Sequence, residues 1–436
     1  MQTRLAAAAI PATISGNIMQ FSFSGLDGGR LFAVFLASVL LITSASCGKV
    51  EDDGQPFTGI PRGLETAEVR VSATGVDASE PAIAASGDGS MYALYVEHLP
   101  DKSADLYVTK YGADLTQAGE RVRVNPIGGE VKTWYGDPPT IAVGRDGTVF
   151  VGWTRRAPGA KAIGTDVMLS VSSDGAKTFA EPVKVNDDVR PAAHGMHSMA
   201  VTGGAVYISW LDERNVKPAA HSEMHVEPNS EVFFASSNDG GRTFSKNIRV
   251  ASDVCPCCKT ATLAANGKLY LSWRQVLPGE FRHIAVASSN DGGQTFSNAS
   301  IVSDDKWMLT ACPMSGPALM ATEAGELVAA WYTAGSAGDP GLYRAVSKDG
   351  GRTFEPRSLV SSDAVGGTPV LLSGREGFRT VFAVNDQKVV VNYADGNAAA
   401  KDISNALLPT AAMSGETVTA LFVRREGDRR SIWLAR

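Results

Sequence analysis

Two of the six histidines and four of the five cysteines in this 436-residue chain gather in three short stretches. They are His194-Gly195-Met196-His197, Cys255-Pro256-Cys257-Cys258-Lys259 and Cys312-Pro313-Met314. Thiolate, thioether and imidazole together suit a soft or borderline metal ion, and copper or zinc is the expected occupant. The candidate metal ligands are therefore His194, His197, Cys255, Cys257, Cys258, Cys312 and Met314. The same cysteines carry a second reading, because outside the cytoplasm four cysteines commonly pair as disulfides. Cys257 with Cys258 is the least favoured pair, since neighbours on an extended chain point apart. A bridge from the Cys-Pro-Cys-Cys loop to Cys312 would instead staple two consecutive structural units. Both readings require these sulfurs to lie close together, and a redox role is a third use of them. His221, Met224 and His225 sit in a long insertion able to fold over the same face. A fourth stretch, Trp134-Tyr135-Gly136-Asp137, offers Tyr135 and Asp137 as candidate catalytic groups, although Gly136-Asp137-Pro138-Pro139 also reads as a plain turn.

A repeating scaffold is needed to bring such distant stretches together, and the sequence contains one. A short apolar strand, a Gly turn and an alternating strand recur, with the second strand ending at Trp153, Trp210, Trp273 or Trp331 in four of the copies. Further copies begin near Pro81, Pro369 and Pro409. Asp-Gly and Asn-Gly turns between alternating strands mark hairpins, and seven can be counted. Aligned on the tryptophans, all four chemistry-bearing stretches fall in the segment leading into the first strand of a unit. The last hairpin lacks a full fourth strand before Arg436, whereas Glu68-Val69-Arg70-Val71-Ser72 is a strand without a hairpin. Pairing those ends would close a ring and remove exposed sheet edges.

Four of the hairpins are followed by a further signal. Ser172-Ser173-Asp174-Gly175-Ala176-Lys177-Thr178-Phe179 returns as SSNDGGRTF around Asp239, SSNDGGQTF around Asp291 and SKDGGRTF around Asp349. The Asp carboxylate can accept backbone N–H bonds and Gly tolerates positive φ, so each copy is a turn onto which the aromatic residue packs. These copies resemble Asp boxes, and residues 66–436 resemble the sialidase-like (bacterial neuraminidase repeat) β-propellers. The resemblance implies an all-β propeller, with seven blades by repeat count and six, as in true sialidases, as the alternative. In that family the box joins the third and fourth strands of a blade and faces away from the active site. Asp174, Asp239, Asp291 and Asp349 are on that ground structural. Sialidase chemistry also implies three arginines gripping a carboxylate, an Asp acid/base and a Tyr nucleophile assisted by Glu. Where the family has its Arg-Ile-Pro motif this chain has Asp77-Ala78-Ser79-Glu80-Pro81, and Gly59-Ile60-Pro61-Arg62 has another order. No lead-in loop carries Arg where a triad should converge, Arg190 being the nearest. Arg155, Arg156, Arg214 and Arg274 follow second strands, near the loops or in solvent. The expected protein is a non-sialidase binding propeller with a Cys/His/Met site at the channel mouth and a glycan or protein ligand. An exo-alpha-sialidase or related glycosidase acting on glycans is the alternative, and catalysis is left open.

The N-terminal region reads as an address. Leu31 to Ile42 (LFAVFLASVLLI) suits the apolar region of a secretory signal and is short for a membrane span. Thr43-Ser44-Ala45-Ser46-Cys47-Gly48 resembles a lipobox, with Cys47 as the lipidated residue; an ordinary secretory signal with a chance cysteine is the other reading. Residues 1–46 are then a signal peptide, 47–65 a polar tether and 66–436 the propeller. The expected location is the bacterial cell envelope, periplasmic or outer surface, held to the membrane by lipid. With 40 Lys+Arg against 46 Asp+Glu the net charge is −6, and no basic run exists to neutralise phosphates, so no nucleic-acid partner is expected.

Overall fold

The computed structural model describes residues 67–436 apart from 135, 160–163, 217–227, 310–312, 364, 376, 386 and 394–400. Cys47, Tyr135, His221, Met224, His225 and Cys312 thus lie outside the described residues. Among those described there are strands and turns and no helix. Each expected hairpin is present. In the third unit His194–Thr202, Ala205–Asp212, Ser230–Ser237 and Ile248–Val254 follow one another antiparallel. Five sheets have four strands, and a larger one of eight arises because Val254 pairs with Gln275, joining the third unit to the fourth. Glu68–Arg70 pairs with the C-terminal strand Arg429–Ala435, Glu68 opposite Ala435.

The second strands depart from the alternation expected of them. Val149–Arg156 and Met91–His98 are buried at nearly every position, not at every other one. The reason is that a neighbouring sheet covers each face, so small and apolar residues fill both. The core accordingly lies between consecutive sheets. Leu94 and Val96 pack with Val151 and Trp153; Leu169 packs with Ile208 and Trp210. Trp153, Trp210, Trp273 and Trp331 are fully buried. Their indole N–H groups donate to Ser170, Asp212, Gln275 and Asp305 respectively, so no polar atom is stranded with the ring. Truncating one such ring to alanine would cost about 3–5 kcal/mol.

The first strands run in succession. Asp77–Ala85 touches Thr140–Val143, which touches His194–Thr202, and the series continues through Ala261–Ala265, Ala318–Ala321, Val365–Gly374 and Leu407–Ser414. The last of these also contacts Asp77–Ala85. The segments leading into the first strands are thereby brought to one region.

The recurrent Asp turns sit between third and fourth strands: Asp174 lies between Thr165–Ser172 and Val183–Lys184. Asp239 Oδ1 accepts the N–H groups of Arg242 and Thr243 at 2.9 and 3.0 Å, and Oδ2 accepts the Thr243 hydroxyl at 2.6 Å. Asp174, Asp291 and Asp349 repeat that pattern on Thr178, Thr295 and Thr353. These bonds hold all four carboxyls well below the usual range, the Thr hydroxyl contributing most. Gly241 (φ +83°) and Gly293 (φ +87°) must be glycine. A Cβ there would stand 2.4 Å from Leu169 and 2.3 Å from Phe234 of the preceding units.

Candidate functional site

A cavity of about 1120 Å³ collects the lead-in segments of the second to fifth units. Its wall includes Trp134, Arg190, Met196, Arg214, Cys257 and Met314. Met196 reaches it through a β-bulge: pairing shifts between Gly195 and Ser198, and Met196 adopts φ +54°. A bulge re-aims a side chain that regular pleating would turn elsewhere.

Cys257 belongs to a group of three sulfurs. Those of Cys255, Cys257 and Cys258 are all within 4.8 Å of one another and all three residues are buried. Cys255 Sγ is 3.5 Å from Cys258 Sγ and 3.7 Å from Cys257 Sγ. Cys257 is disulfide-bonded, whereas Cys255 and Cys258 are free thiols. The hydrogen bond with Cys258 pulls the Cys255 thiol down to about 6 against its burial, helped by the Cys257 N–H and by Arg282 and Arg274. Burial, then the bond and charge of Cys255, push Cys258 well up. Of the two thiols, Cys255 is therefore the one that gives up its proton first.

The next unit holds this loop in place. The Cys255 N–H donates to the Arg274 carbonyl at 2.9 Å. Of the two places expected for Arg274, near the loops or in solvent, it takes the first, and it is wholly buried there. Its guanidinium donates to the carbonyls of Ser315 (2.8 Å) and Tyr332 (3.0 Å) and lies over the Trp307 ring at 4.9 Å. Backbone acceptors on the fifth unit replace the water it would otherwise need. Gly316 packs so tightly that an added Cβ would stand 2.2 Å from the Lys259 carbonyl oxygen.

The histidines occupy two carboxylate networks beside the sulfurs, and among the described residues no imidazole nitrogen joins the three-sulfur group. His197 Nδ1 faces Asp137 Oδ1 at 3.5 Å, and Lys259 Nζ lies 3.8 Å from the same oxygen while donating to the Pro138 carbonyl at 2.7 Å. Burial works to raise the Asp137 pKa, but His197 and Lys259 outweigh it and hold it low. Burial and then the Lys259 charge push His197 down, against the pull of Asp137. His194 Nε2 faces Asp188 at 3.2 Å and Asp212 at 3.4 Å, with Nδ1 against the Thr165 carbonyl. Burial opposes its charge, yet Asp188 and Asp212 raise its pKa. Arg214 grips Asp212 through Nε and Nη2 at 2.8–3.0 Å and reaches Asp187 at 2.6 Å. Lys259, Asp188 and Asp212 escaped the reading of the sequence. Only Lys259, adjoining the cysteines, carried a usable signal.

No family model and no curated protein matches this chain. Solved structures do. A polysaccharide lyase, an ulvan lyase, is 12% identical over 82% of this chain and 93% of its own, with a TM-score of 0.50. A protein of unknown function from Dyadobacter fermentans is 14% identical over 86% and 99% of the two chains, with a TM-score of 0.48. A Hadza microbial sialidase is 15% identical over 73% of this chain and 63% of its own, with a TM-score of 0.43. At such identities the likeness is one of fold, an all-β architecture of the propeller type.

Proposed function

We propose that this chain is a lipid-anchored, extracytoplasmic propeller of seven blades that binds a ligand rather than hydrolysing sialosides. Its binding site is the cavity walled by Met196, Cys257 and Met314. Seven hairpins support the blade count, as does the succession of first-strand contacts that returns to its start. The pairing of Glu68–Arg70 with Arg429–Ala435 supports closure by the two chain ends. One observation carries the site: of three mutually close buried cysteine sulfurs, that of Cys257 belongs to a residue lining a cavity that two methionines also line. That donor set fits Cu(I) better than zinc, because zinc favours a full tetrahedron of Cys, His or carboxylate ligands. The imidazoles of His194 and His197 are engaged with carboxylates. Cys312 is the proposed disulfide partner of Cys257, since Cys255 and Cys258 are thiols and Gly316, four residues further on, packs against the Lys259 backbone. Reduced, anaerobically purified protein should take up about one Cu(I) and lose it on Cys257→Ser; failure to bind copper in the folded wild type would defeat the reading.

Binding without hydrolysis follows from the arginines. Among the described residues the cavity wall has Arg190 and Arg214, Arg214 is engaged by Asp212 and Asp187, and no cluster of three arginines faces the cavity. A fluorogenic sialoside should remain unhydrolysed. A glycan ligand is the second reading, favoured by Trp134, which is 41% exposed and lies on the cavity wall where a sugar ring could stack. Anchorage rests on the lipobox-like run before Cys47; Cys47→Ala should accumulate unprocessed precursor, and normal processing would mean an ordinary secretory signal.

A further inference from the structure

The Cys-Pro-Cys-Cys loop holds sulfur in two oxidation states within one small volume. Cys255 and Cys258 are thiols at 0% exposure, shut away from any external oxidant or reductant. Cys257 is oxidised, and it is the member of the three that lines the cavity. Cys255 Sγ touches both of the others, at 3.5 and 3.7 Å. Reducing equivalents held by the buried pair therefore have a contact path to the cavity through Cys257.

We propose that the three cysteines form an internal thiol–disulfide exchange centre, in which the Cys255/Cys258 dithiol reduces the Cys257 disulfide and so delivers a thiol to the cavity wall. The step balances within the chain. Cys255 thiolate attacks the Cys257 sulfur; a Cys255–Cys257 bond forms, and the bond from Cys257 to its partner sulfur breaks. The partner leaves with the electron pair and takes up the proton released by Cys255. Cys258, as thiolate, then attacks the Cys255 sulfur. A Cys255–Cys258 bond forms and Cys257 leaves as thiolate, taking up the Cys258 proton. One disulfide is broken and one made, the dithiol is oxidised by two electrons and the first disulfide reduced by two. No outside reagent is consumed.

The geometry suits this order of events. Each bond needs a sulfur displacement of about 1.5 Å to reach the disulfide length of about 2.05 Å, within the range of side-chain rotation. The turn at 256–258 sets Cys255 Sγ closest to Cys258 Sγ, at 3.5 Å against 3.7 Å to Cys257, so the exchange ends on the Cys255–Cys258 pair. The delivered Cys257 sulfur joins Met196 and Met314 on the wall, a soft set suited to Cu(I). That consequence rests on the metal reading above; the exchange itself does not.

The test is disulfide mapping of the intact, metal-free protein, purified without added thiol, held at pH 8, acid-quenched, alkylated and digested. The expected result is two wild-type populations: one with Cys255 and Cys258 alkylated, the other with a Cys255–Cys258 disulfide and alkylated Cys257. Cys255→Ser, and separately Cys255→Ala in case serine disturbs the core, should lose the second population. A wild-type protein that stays Cys257-linked at all times overturns the proposal, as does alkylated Cys257 in the Cys255 variants. Copper titration of the same samples separates the two ideas. Exchange without Cu(I) binding defeats the metal reading alone, and Cu(I) binding by chemically reduced protein without exchange in the untreated sample defeats the exchange alone.

Discussion

Gly316→Ala adds a single methyl group at the point where the fifth unit presses on the cysteine loop. The new Cβ would stand 2.2 Å from the Lys259 carbonyl oxygen and 3.1 Å from its carbon, whereas ordinary contact begins at 3.4 Å. Both sides of this contact are backbone, so no rotamer change relieves it, and the two segments must part by about 1 Å. Overpacking costs about 1–3 kcal/mol, and a clash between backbones belongs at the upper end, about 3 kcal/mol. In a domain of this size that is a fall in melting temperature of roughly 5 °C. The loop that moves carries Cys257, Cys258 and Lys259, so local opening should become easier by a similar amount. Labelling of Cys255 and Cys258 by an aromatic disulfide reagent, governed by that opening, should then accelerate by up to about a hundredfold. Gly119→Ala is the control: nothing lies within 4 Å of its added Cβ, and it should be neutral or stabilising by less than about 1 kcal/mol. Equal melting temperatures and equal labelling rates for Gly316→Ala and wild type would refute the packing argument.

Lys259→Met leaves the Asp137 carboxylate buried without its cation and should destabilise by about 3–5 kcal/mol in urea unfolding, while Lys259→Met with Asp137→Asn should recover more than half of that loss. His194 has a raised folded pKa, so its stabilisation is full below the unfolded value of 6.5 and is lost as pH rises through the folded value. Wild type minus His194→Gln stability should accordingly shrink upward from about pH 6.5, and a difference that grew with pH would reverse the assignment. Asp239→Ala removes the acceptor for two backbone N–H groups and a hydroxyl; it should lower the melting temperature and leave the thiol count and copper stoichiometry unchanged.

The hairpins were legible because their signals are local: a Gly turn, strands of four to ten residues and, in four copies, a terminal Trp. The Asp turns were legible for the same reason, the carboxylate and its donors lying within four residues of each other. The gathering of lead-in segments could be read from repeat alignment alone, since equivalent positions in consecutive units come together whatever residues occupy them. What could not be read is side-chain direction at irregular backbone. Met196 faces the cavity because of a bulge at φ +54°, and no strand pattern announces a bulge. Arg274 read as a residue following a strand, near the loops or in solvent. It is buried because the carbonyls of Ser315 and Tyr332, more than forty residues away, converge on it. The division of the cysteines into thiols and disulfide likewise depends on which sulfurs the loop turns inward, and four cysteines at fixed spacing permit several answers.

The loop's position explains why chemistry confined to sulfur movement is feasible there. Val254 pairs with Gln275, so the outer strand of the third unit runs on into the fourth unit instead of ending at a free turn. Cys255 follows at once and keeps the register through its N–H bond to Arg274. The Gln275 amide closes the other side by donating to the carbonyls of Ser252 and Asp253. From the far end, Thr260 donates its N–H to the Met196 carbonyl at 3.0 Å and its hydroxyl to the same oxygen. The segment from 254 to 260 is thus tied at both ends to strands of the third and fourth units. A loop free to swing would let the Cys255 and Cys258 thiols meet solvent and be oxidised at random. Tied down, it keeps them in contact with one disulfide, the one that borders the cavity.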